Sequence, residues 1–190
     1  MQIGAMMIES PELGSHELVI RARAGDLQCF DRIMILHQRQ VLRTAWRILG
    51  NPEDAQDATQ DVFLRLYKYL DRIDPERDLA PWLYRITVNV CKDIAKKRPK
   101  TTELPDTLTV EDYNSERRLD VSAEIKVMSQ ALQTLPEKER AAIVLRDVEG
   151  LSTREVAEVL GSTETTVRSQ ISRARIKIKE FRNRILGRQS

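Results

Sequence analysis

Hydrophobic residues recur along most of the chain at intervals of three and four positions, the spacing that places them on one face of an α-helix. The clearest stripe lies near the carboxyl-terminal end. It consists of Val167, Ile171, Ala174, Ile178, Phe181 and Ile185. No segment has the pattern that is typical of a β-strand. The arrangement of apolar positions therefore predicts an all-α fold.

Start and stop signals divide this pattern into separate helices. Asn51 followed by Pro52 is a helix start, because asparagine caps free N–H groups and proline is tolerated at the first helical position. Ser152 and Glu155 have the spacing of a capping box, and Gly161 suits the turn that ends a helix. The predicted helices span residues 15–24, 27–49, 52–71, 81–97, 123–134, 136–148, 153–160 and 163–186.

The helical pattern stops between residues 99 and 121, where threonine, proline and acidic residues take its place. A segment of about 20 residues without secondary structure is too long for a loop inside a compact domain. The sequence therefore predicts two small helical domains, at 15–98 and 122–190, joined by a flexible acidic linker at 99–121. Residues 1–14 are predicted to form a loose tail.

The distribution of charge distinguishes the two ends of the chain. Charged residues make up 32% and aromatic residues 5%, a composition that favours small helical domains with charged surfaces. The net charge of +2 conceals a strongly basic segment at 163–190 and an acidic one at 99–124. A basic terminal unit of this kind indicates a polyanionic partner.

Several classes of protein are disfavoured by what the sequence lacks. Cys29 and Cys91 have no neighbours at metal-binding spacing and are predicted to be small buried hydrophobes. No run reaches the ~18 apolar residues of a membrane span, and the first residues do not have the pattern of a secretory signal. We therefore expect a cytoplasmic protein without a membrane span, metal or other cofactor, and with no catalytic residues.

The two helices at 153–160 and 163–186 have the proportions of a helix-turn-helix, whose second helix enters the DNA major groove. Four polar residues of that second helix lie off its apolar stripe and are predicted to face outward together. They are Arg168, Ser169, Ser172 and Arg173. Thr165 and Thr166 stand at the start of the helix, where free amides favour a phosphate. DNA is thus the expected polyanion.

Three groups of segments resemble bacterial sigma factors of the sigma-70 family. Residues 57–67 resemble the region 2.2 helix, residues 81–89 resemble the segment that follows it, and residues 135–140, 150–152 and 166–175 resemble region 4. The short length and the bare linker between the two domains resemble the extracytoplasmic function subfamily. The resemblance covers nearly the whole chain, and its three parts occur in the family's order and spacing.

This resemblance implies a dissociable initiation subunit of RNA polymerase. The first domain would read the minus-ten element and assist melting, the second would read the minus-thirty-five element, and the linker would thread the core enzyme. The implied partners are core RNA polymerase, through the clamp helices of its largest subunit and its flap, together with promoter DNA and an anti-sigma factor.

A row of acidic residues on the helix at 52–71 is the candidate surface for binding the polymerase. Like charges at this spacing repel one another, so they need either solvent or a basic partner. The resemblance favours a basic partner helix over a merely solvated face. The set comprises Asp54, Asp57, Gln60 and Asp61, with Phe63 either flanking the surface or belonging to the core.

The helix at 81–97 carries the candidate minus-ten contacts. A cationic cluster at its end, too large to serve only the helix dipole, suits phosphates. It comprises Lys92, Lys96, Lys97, Arg98 and Lys100. The resemblance places Asn89 against the minus-ten bases and makes the loop from Arg72 to residue 80 a candidate for capturing an unpaired base. We expect Trp82 to pack in the core.

Two other functions fit the sequence less well than a sigma subunit does. A stand-alone DNA-binding regulator would have a similar carboxyl-terminal domain, but it would have no use for the acidic row or the cationic cluster. An enzyme is disfavoured because the chain has no phosphate-binding loop, no metal-ligand spacing and no nucleophile beside a plausible base.

Overall fold

The computed structural model describes residues 14–97 and 118–187, and within them the chain is helical with no strand. Its helices are α1 (Ser15–Arg23), α2 (Leu27–Leu49), α3 (Pro52–Tyr69), α4 (Leu79–Lys97), α5 (Arg118–Gln133), α6 (Glu137–Ile143), α7 (Thr153–Leu160) and α8 (Glu164–Leu186). A 3-10 turn, Leu70–Arg72, follows α3, and a π-helical turn, Val144–Val148, follows α6. The all-α prediction is confirmed.

The predicted helix signals are realised as hydrogen bonds. The Asn51 side chain accepts from the N–H groups of Glu53 and Asp54, at 2.8 and 3.1 Å. The Ser152 hydroxyl accepts from the N–H of Glu155, and the Glu155 carboxylate accepts from the N–H of Ser152 at 2.7 Å. These bonds hold the pKa of the Glu155 carboxyl below its ordinary value. Gly161 ends α7 in the left-handed conformation, with φ of 59°.

Helices α4, α5 and α6 differ from their predicted boundaries by two to five residues, and α3 ends two residues earlier than predicted, at Tyr69. Helix α4 begins at Leu79 rather than at Pro81, because the Asp78 carboxylate accepts the N–H of Ala80 at 3.0 Å and starts the helix earlier. Pro81 then lies in the first turn, where a missing N–H costs nothing. Helix α5 begins at Arg118, inside the segment predicted to be linker. The predicted helix at 136–148 changes to a π-helical turn at Val144.

The first domain is built from α1 to α4, in which α2, α3 and α4 each pack against the other two and α1 packs against α2. Its fully buried centre includes Ile33, Val62, Leu66, Leu83 and Val90. Cys29 and Cys91 are buried free thiols, as predicted. Trp82 is half-buried and packs against the core, which confirms its predicted place.

The second domain is built from α5 to α8, and the apolar stripe of α8 supplies much of its core. Val167, Ile171 and Ala174 are buried, and Ile178 packs against them while partly exposed. Burial thus decreases along α8, so the first half of the helix is held by packing. Its amino-terminal end is thereby fixed in position beside α7.

The two domains contact each other, which the prediction of a flexible tether did not anticipate. The Arg140 guanidinium donates to the carbonyl of Ile48 at 2.7 Å, and the Gln133 amide donates to the carbonyl of Arg47 at 3.2 Å. These carbonyls end α2 and lack partners within that helix. The second domain therefore caps a helix of the first, and α4 also packs against α7.

Among the described residues, no helix has the length and apolar character needed to cross a lipid bilayer.

Candidate nucleic-acid interface

The start of α8 presents an exposed polar end. The Thr163 hydroxyl accepts from the N–H of Thr166 at 3.2 Å and lies 2.9 Å from the Thr166 hydroxyl. Thr165 and Thr166 are both exposed. The positive end of the helix dipole and the remaining free amides meet here, which is an arrangement that binds phosphate well.

The outward face of α8 contains all four residues that the sequence placed there. Arg168, Ser169, Ser172 and Arg173 are exposed, so the predicted orientation of the face agrees with the structure. The Arg168 guanidinium is paired with Glu164 at 2.5 Å, one turn earlier. The Ser169 hydroxyl donates to the carbonyl of Thr165 at 3.1 Å. The Arg168 guanidinium keeps N–H groups that are not used by Glu164, whereas the Ser169 oxygen, whose one proton is donated to Thr165, remains available as an acceptor.

Carboxylates beneath α8 pair with its other cations, a feature that no local pattern indicated. Glu139 lies 3.2 Å from Arg173 and 2.8 Å from Lys177. Asp147 accepts two bonds from Arg175, at 2.9 and 2.7 Å, and these bonds raise the pKa of that guanidinium. The partners are 28 to 38 residues apart in sequence, so only the packing of α6 and the π-helical turn against α8 brings them together.

Residues on one face of α4 form a second polar surface. Asn89, Lys92 and Lys96 are spaced by three and four positions and therefore share that face. Asn89, Lys96 and Lys97 are exposed, whereas Lys92 is half-buried. The acid within the cluster, Asp93, faces Arg65 of α3 at 3.3 Å instead. Asp93 thus forms its ion pair with α3 and not with a described lysine of α4, while Arg98 and Lys100 lie outside the described residues.

Arg72 lies just after α3, at the start of the loop that the sequence singled out. Its side chain is exposed, and its guanidinium carbon lies 5.4 Å from the centre of the Tyr69 ring. A cation held over an aromatic face keeps its outward N–H groups available. Arg72 is therefore placed to donate to a phosphate or a base near α4.

The acidic surface of α3 is a separate feature of the first domain. Asp57, Gln60 and Asp61 are exposed, and Asp54 is half-buried near the amino-terminal end. Phe63 is only 8% exposed and belongs to the core, so the structure selects the core alternative for this residue.

An exposed leucine extends this surface in a way that the sequence analysis missed. Leu64 is 67% exposed and lies on the same face as Asp57 and Asp61, seven and three positions further along, respectively. Beside it, Gln60 and Leu42 line an open groove of about 540 Å³ between α2 and α3. The available signal was that Leu64 falls outside the buried stripe of α3. An apolar side chain among acids is typical of a docking surface.

The two polar surfaces face one crevice between the domains. The crevice has a volume of about 180 Å³ and is lined by Lys92 of α4 and by Thr166 and Gln170 of α8. A duplex cannot enter such a space, since its major groove alone is about 12 Å wide. In this arrangement the candidate DNA contacts of one domain are partly covered by the other.

A carboxylate that is largely removed from solvent also links the two domains. Glu149 accepts from Arg47 at 3.0 Å and from the Tyr84 hydroxyl at 3.1 Å, and Gln40 donates to the same hydroxyl. The Glu149 side chain is 9% exposed. Burial raises the pKa of Tyr84 to about 12, and the adjacent Glu149 adds to the effect.

Comparison with known proteins identifies both halves of the chain. Residues 34–101 match the family model described as Sigma-70 region 2, and residues 125–178 match that described as Sigma-70, region 4. The chain is 36% identical over 179 residues to the ECF RNA polymerase sigma factor SigM of Mycobacterium tuberculosis, covering 93% of this chain and 86% of that protein.

Two further similarities extend the comparison. The ECF RNA polymerase sigma factor SigE of Mycolicibacterium smegmatis is 36% identical over 80% of this chain, which spans 61% of that relative's length. The sigma factor RpoE of Bartonella quintana, solved in complex with the anti-sigma factor NepR, superposes with a TM-score of 0.68 at 22% identity. That superposition covers 80% of this chain and 95% of the other, and it shows a shared fold.

Proposed function

Because the chain belongs to the extracytoplasmic function subfamily of sigma-70 RNA polymerase sigma factors, we propose that it recruits core polymerase to promoters with minus-ten and minus-thirty-five elements. The observation that carries this proposal is the presence of three distinct surfaces, built from different residues, on one chain. One is acidic with an apolar neighbour, and two are polar and basic. A protein that recognises a promoter while bound to polymerase needs one surface for core polymerase and one for each of the two promoter elements.

The acidic surface of α3 is the proposed site for core polymerase. Asp57 and Asp61 would face a basic helix of the clamp, with Leu64 filling an apolar site at its edge. Charge complementarity would guide association, and burial of the leucine would prolong it. The interaction is expected to weaken with salt, because the carboxylates are exposed.

The basic face of α4 is the proposed minus-ten surface. Lys92, Lys96 and Lys97 would contact phosphates, and the Asn89 amide would pair with the edge of a base. Arg72 would approach the same strand from the adjoining loop.

The amino-terminal half of α8 is the proposed minus-thirty-five reader. Thr165 and Thr166 would bind a phosphate at the helix start, while Arg168 and Arg173 would reach base edges or flanking phosphates. Ser169 and Ser172 lie between the two arginines and would supply shorter contacts.

Promoter binding requires the two domains to separate. The centres of the two elements lie about 25 base pairs apart, or ~85 Å of duplex at about 3.4 Å per pair. Lys92 and Thr166, which belong to the two proposed surfaces, here line a single crevice of about 180 Å³. We therefore propose that the contacted arrangement is the free state and that polymerase binding favours an open one.

An anti-sigma factor is a further proposed partner, acting in the cytoplasm. The sigma factor of Bartonella quintana that shares this fold was solved with such a protein. In this chain Ile35, Leu36 and Leu64 are each at least 60% exposed, and apolar residues at that exposure suit a protein partner.

Core association provides the first test of this function. The chain should co-elute with sigma-free core polymerase, and Asp61→Lys should reduce that affinity at least ~100-fold by placing a cation against a basic helix. The helix content measured by circular dichroism should not change. Arg154→Glu, a reversal of an exposed charge on α7, is the matched control. A stand-alone regulator would bind DNA without any affinity for core, and that result would overturn the proposal.

A further inference from the structure

Within residues 14–97 and 118–187, four ion pairs involve the cations of α8, and one carboxylate among their partners is unlike the others. Glu164 and Asp147, which hold Arg168 and Arg175, have side chains that are 44% and 29% exposed. The Glu139 side chain is only 9% exposed, yet it contacts both Arg173 and Lys177. Glu139 is therefore a fixed negative charge directly under the recognition helix.

The burial of Glu139 makes its position rigid. It belongs to the first turn of α6, which packs against α8. A buried carboxylate is tolerated when opposite charges surround it, and here two cations do so from one side. Because α6 and α8 belong to the same domain, these contacts do not depend on the arrangement of the two domains.

The contact also sets the orientation of Arg173. Glu139 meets the guanidinium at Nε, and the Arg173 side chain is otherwise 58% exposed. The two terminal nitrogens of an arginine form the fork that recognises guanine in the major groove. This ion-pair contact at Nε, 3.2 Å from a Glu139 carboxylate oxygen, leaves the fork available and favours orientations of the guanidinium that keep Nε beside the carboxylate.

The Glu139 carboxylate also reduces the net positive charge that α8 presents to DNA phosphates. Non-specific affinity for DNA depends mainly on the number of uncompensated cations. Glu139 offsets part of the charge of both Arg173 and Lys177, so it lowers attraction to any duplex while favouring one geometry of contact.

We propose that Glu139 is a positioning residue that determines specificity: it fixes the Arg173 fork for a base of the minus-thirty-five element and suppresses sequence-independent binding. This inference rests on the proposed function, because it requires α8 to read that element. It assigns a role in DNA recognition to a side chain that lies beneath the DNA-facing surface.

The decisive variant is Glu139→Gln, which keeps the shape and removes the charge. Holoenzyme reconstituted from the full chain and core polymerase is selected on duplexes with a randomised minus-thirty-five hexamer, and bound sequences are counted. Preference at one position should fall about tenfold, the scale of one bidentate base contact. Affinity of the full chain for an unrelated duplex, measured by fluorescence anisotropy at low salt, should rise about twofold to fivefold with a steeper salt dependence.

Two controls separate positioning from charge and from folding. Asp147→Asn removes the same charge beside α8 and should raise non-specific affinity without changing base preference. In an Arg173→Ala background, Glu139→Gln should no longer alter base preference, because the residue through which it acts is absent. Thermal unfolding of each variant shows whether the domain remains folded.

The outcomes are distinguishable. A parallel loss of affinity for all sequences would mean that Glu139 only maintains the fold and would overturn the proposal. A rise in non-specific affinity with unchanged base preference, equal to that of Asp147→Asn, would overturn it too. If wild-type holoenzyme shows no preference within the hexamer at all, the proposed function fails instead.

Discussion

Glu139 and Glu149 are ten positions apart and equally buried, but they serve different parts of the molecule. Each side chain is 9% exposed. Glu139 pairs with α8 inside its own domain, whereas Glu149 pairs with Arg47 and Tyr84 of the other domain. The first pair survives when the domains separate. The second must be broken, and its charged and polar groups then return to water, as suits a reversible interface.

Two adjacent residues of α6 contact different domains. Arg140 follows Glu139 directly, yet it points to α2, where it bonds the carbonyl of Ile48. It also donates to the carbonyls of Gln133 and Leu135, at 3.0 and 2.9 Å. Burial lowers the pKa of Arg140, so these carbonyl partners compensate for a desolvated cation.

Removing Arg140 should have the largest effect on stability. Arg140→Ala leaves several buried carbonyls without a donor, and we expect the free energy of unfolding to fall by about 2–4 kcal/mol. Urea denaturation measures this. Arg154→Ala, which breaks an exposed pair with Glu158, should change stability by less than ~1 kcal/mol and serves as the control. Equal effects of the two substitutions would show that Arg140 is not a buried link.

Neutralising Glu149 should separate the domains without unfolding either. Glu149→Gln weakens the contacts to Arg47 and Tyr84, and we expect a loss of about 1–3 kcal/mol of interdomain stability. Spin labels on cysteines introduced at the exposed positions Asp71 and Glu180 report the distance between domains. In Glu149→Gln, the fraction of molecules with a short distance between the two labels should decrease.

The comparison of the two carboxylates supplies the control for that experiment. Glu139→Gln should leave the label distance unchanged, because its partners lie within one domain. If both variants shift the distance alike, the division between a domain-internal and an interdomain carboxylate is wrong.

Tyr84 offers a smaller, pH-dependent measure of the same contact. Its pKa is raised to about 12 from an ordinary value of 10.0, so the folded state favours the neutral phenol. The contact should therefore be constant below pH 10, and its contribution should be lost as the pH rises toward 12. Absorbance at 295 nm should show one late-titrating tyrosine that is absent in Tyr84→Phe. Glu149→Gln should move that pKa toward the ordinary value, and an unmoved titration would contradict the assigned contact.

The smallest effect on stability is expected at the exposed pair beneath α8. Asp147→Asn removes a partner of Arg175 that is already solvated, and the free energy of unfolding should change by less than ~1 kcal/mol. Thermal unfolding measures it. A loss as large as that of Arg140→Ala would mean that exposed and buried charges are equivalent here.

Local signals in the sequence predicted most of the helices. Helix α2 has the predicted bounds because Asp26 caps its start and Gly50 adopts the left-handed conformation at its end. The capping box at Ser152 and the turn at Gly161 likewise depend on residues within a few positions. The family suggested by the motifs is confirmed by the matches to regions 2 and 4.

What the sequence did not predict depends on distant residues. The Arg47–Glu149 pair joins positions 102 apart in the sequence. Neither residue belongs to an apolar stripe, so no local pattern predicts that they are buried. Glu139 resembles an ordinary acid in the first turn of a helix until α8 packs over it. The π-helical turn at Val144–Val148 is not predicted by a hydrophobic pattern with a period of 3.6 residues, because a π-helix has more residues per turn.

Run-off transcription with purified core polymerase tests the central claim most directly. Fragmented genomic DNA serves as template, and transcript 5′ ends are mapped with and without the chain. We predict discrete start sites that appear only when the chain is added and are lost with Asp61→Lys. Failure to bind core, or transcripts with the same scattered starts as core alone, would contradict the claim.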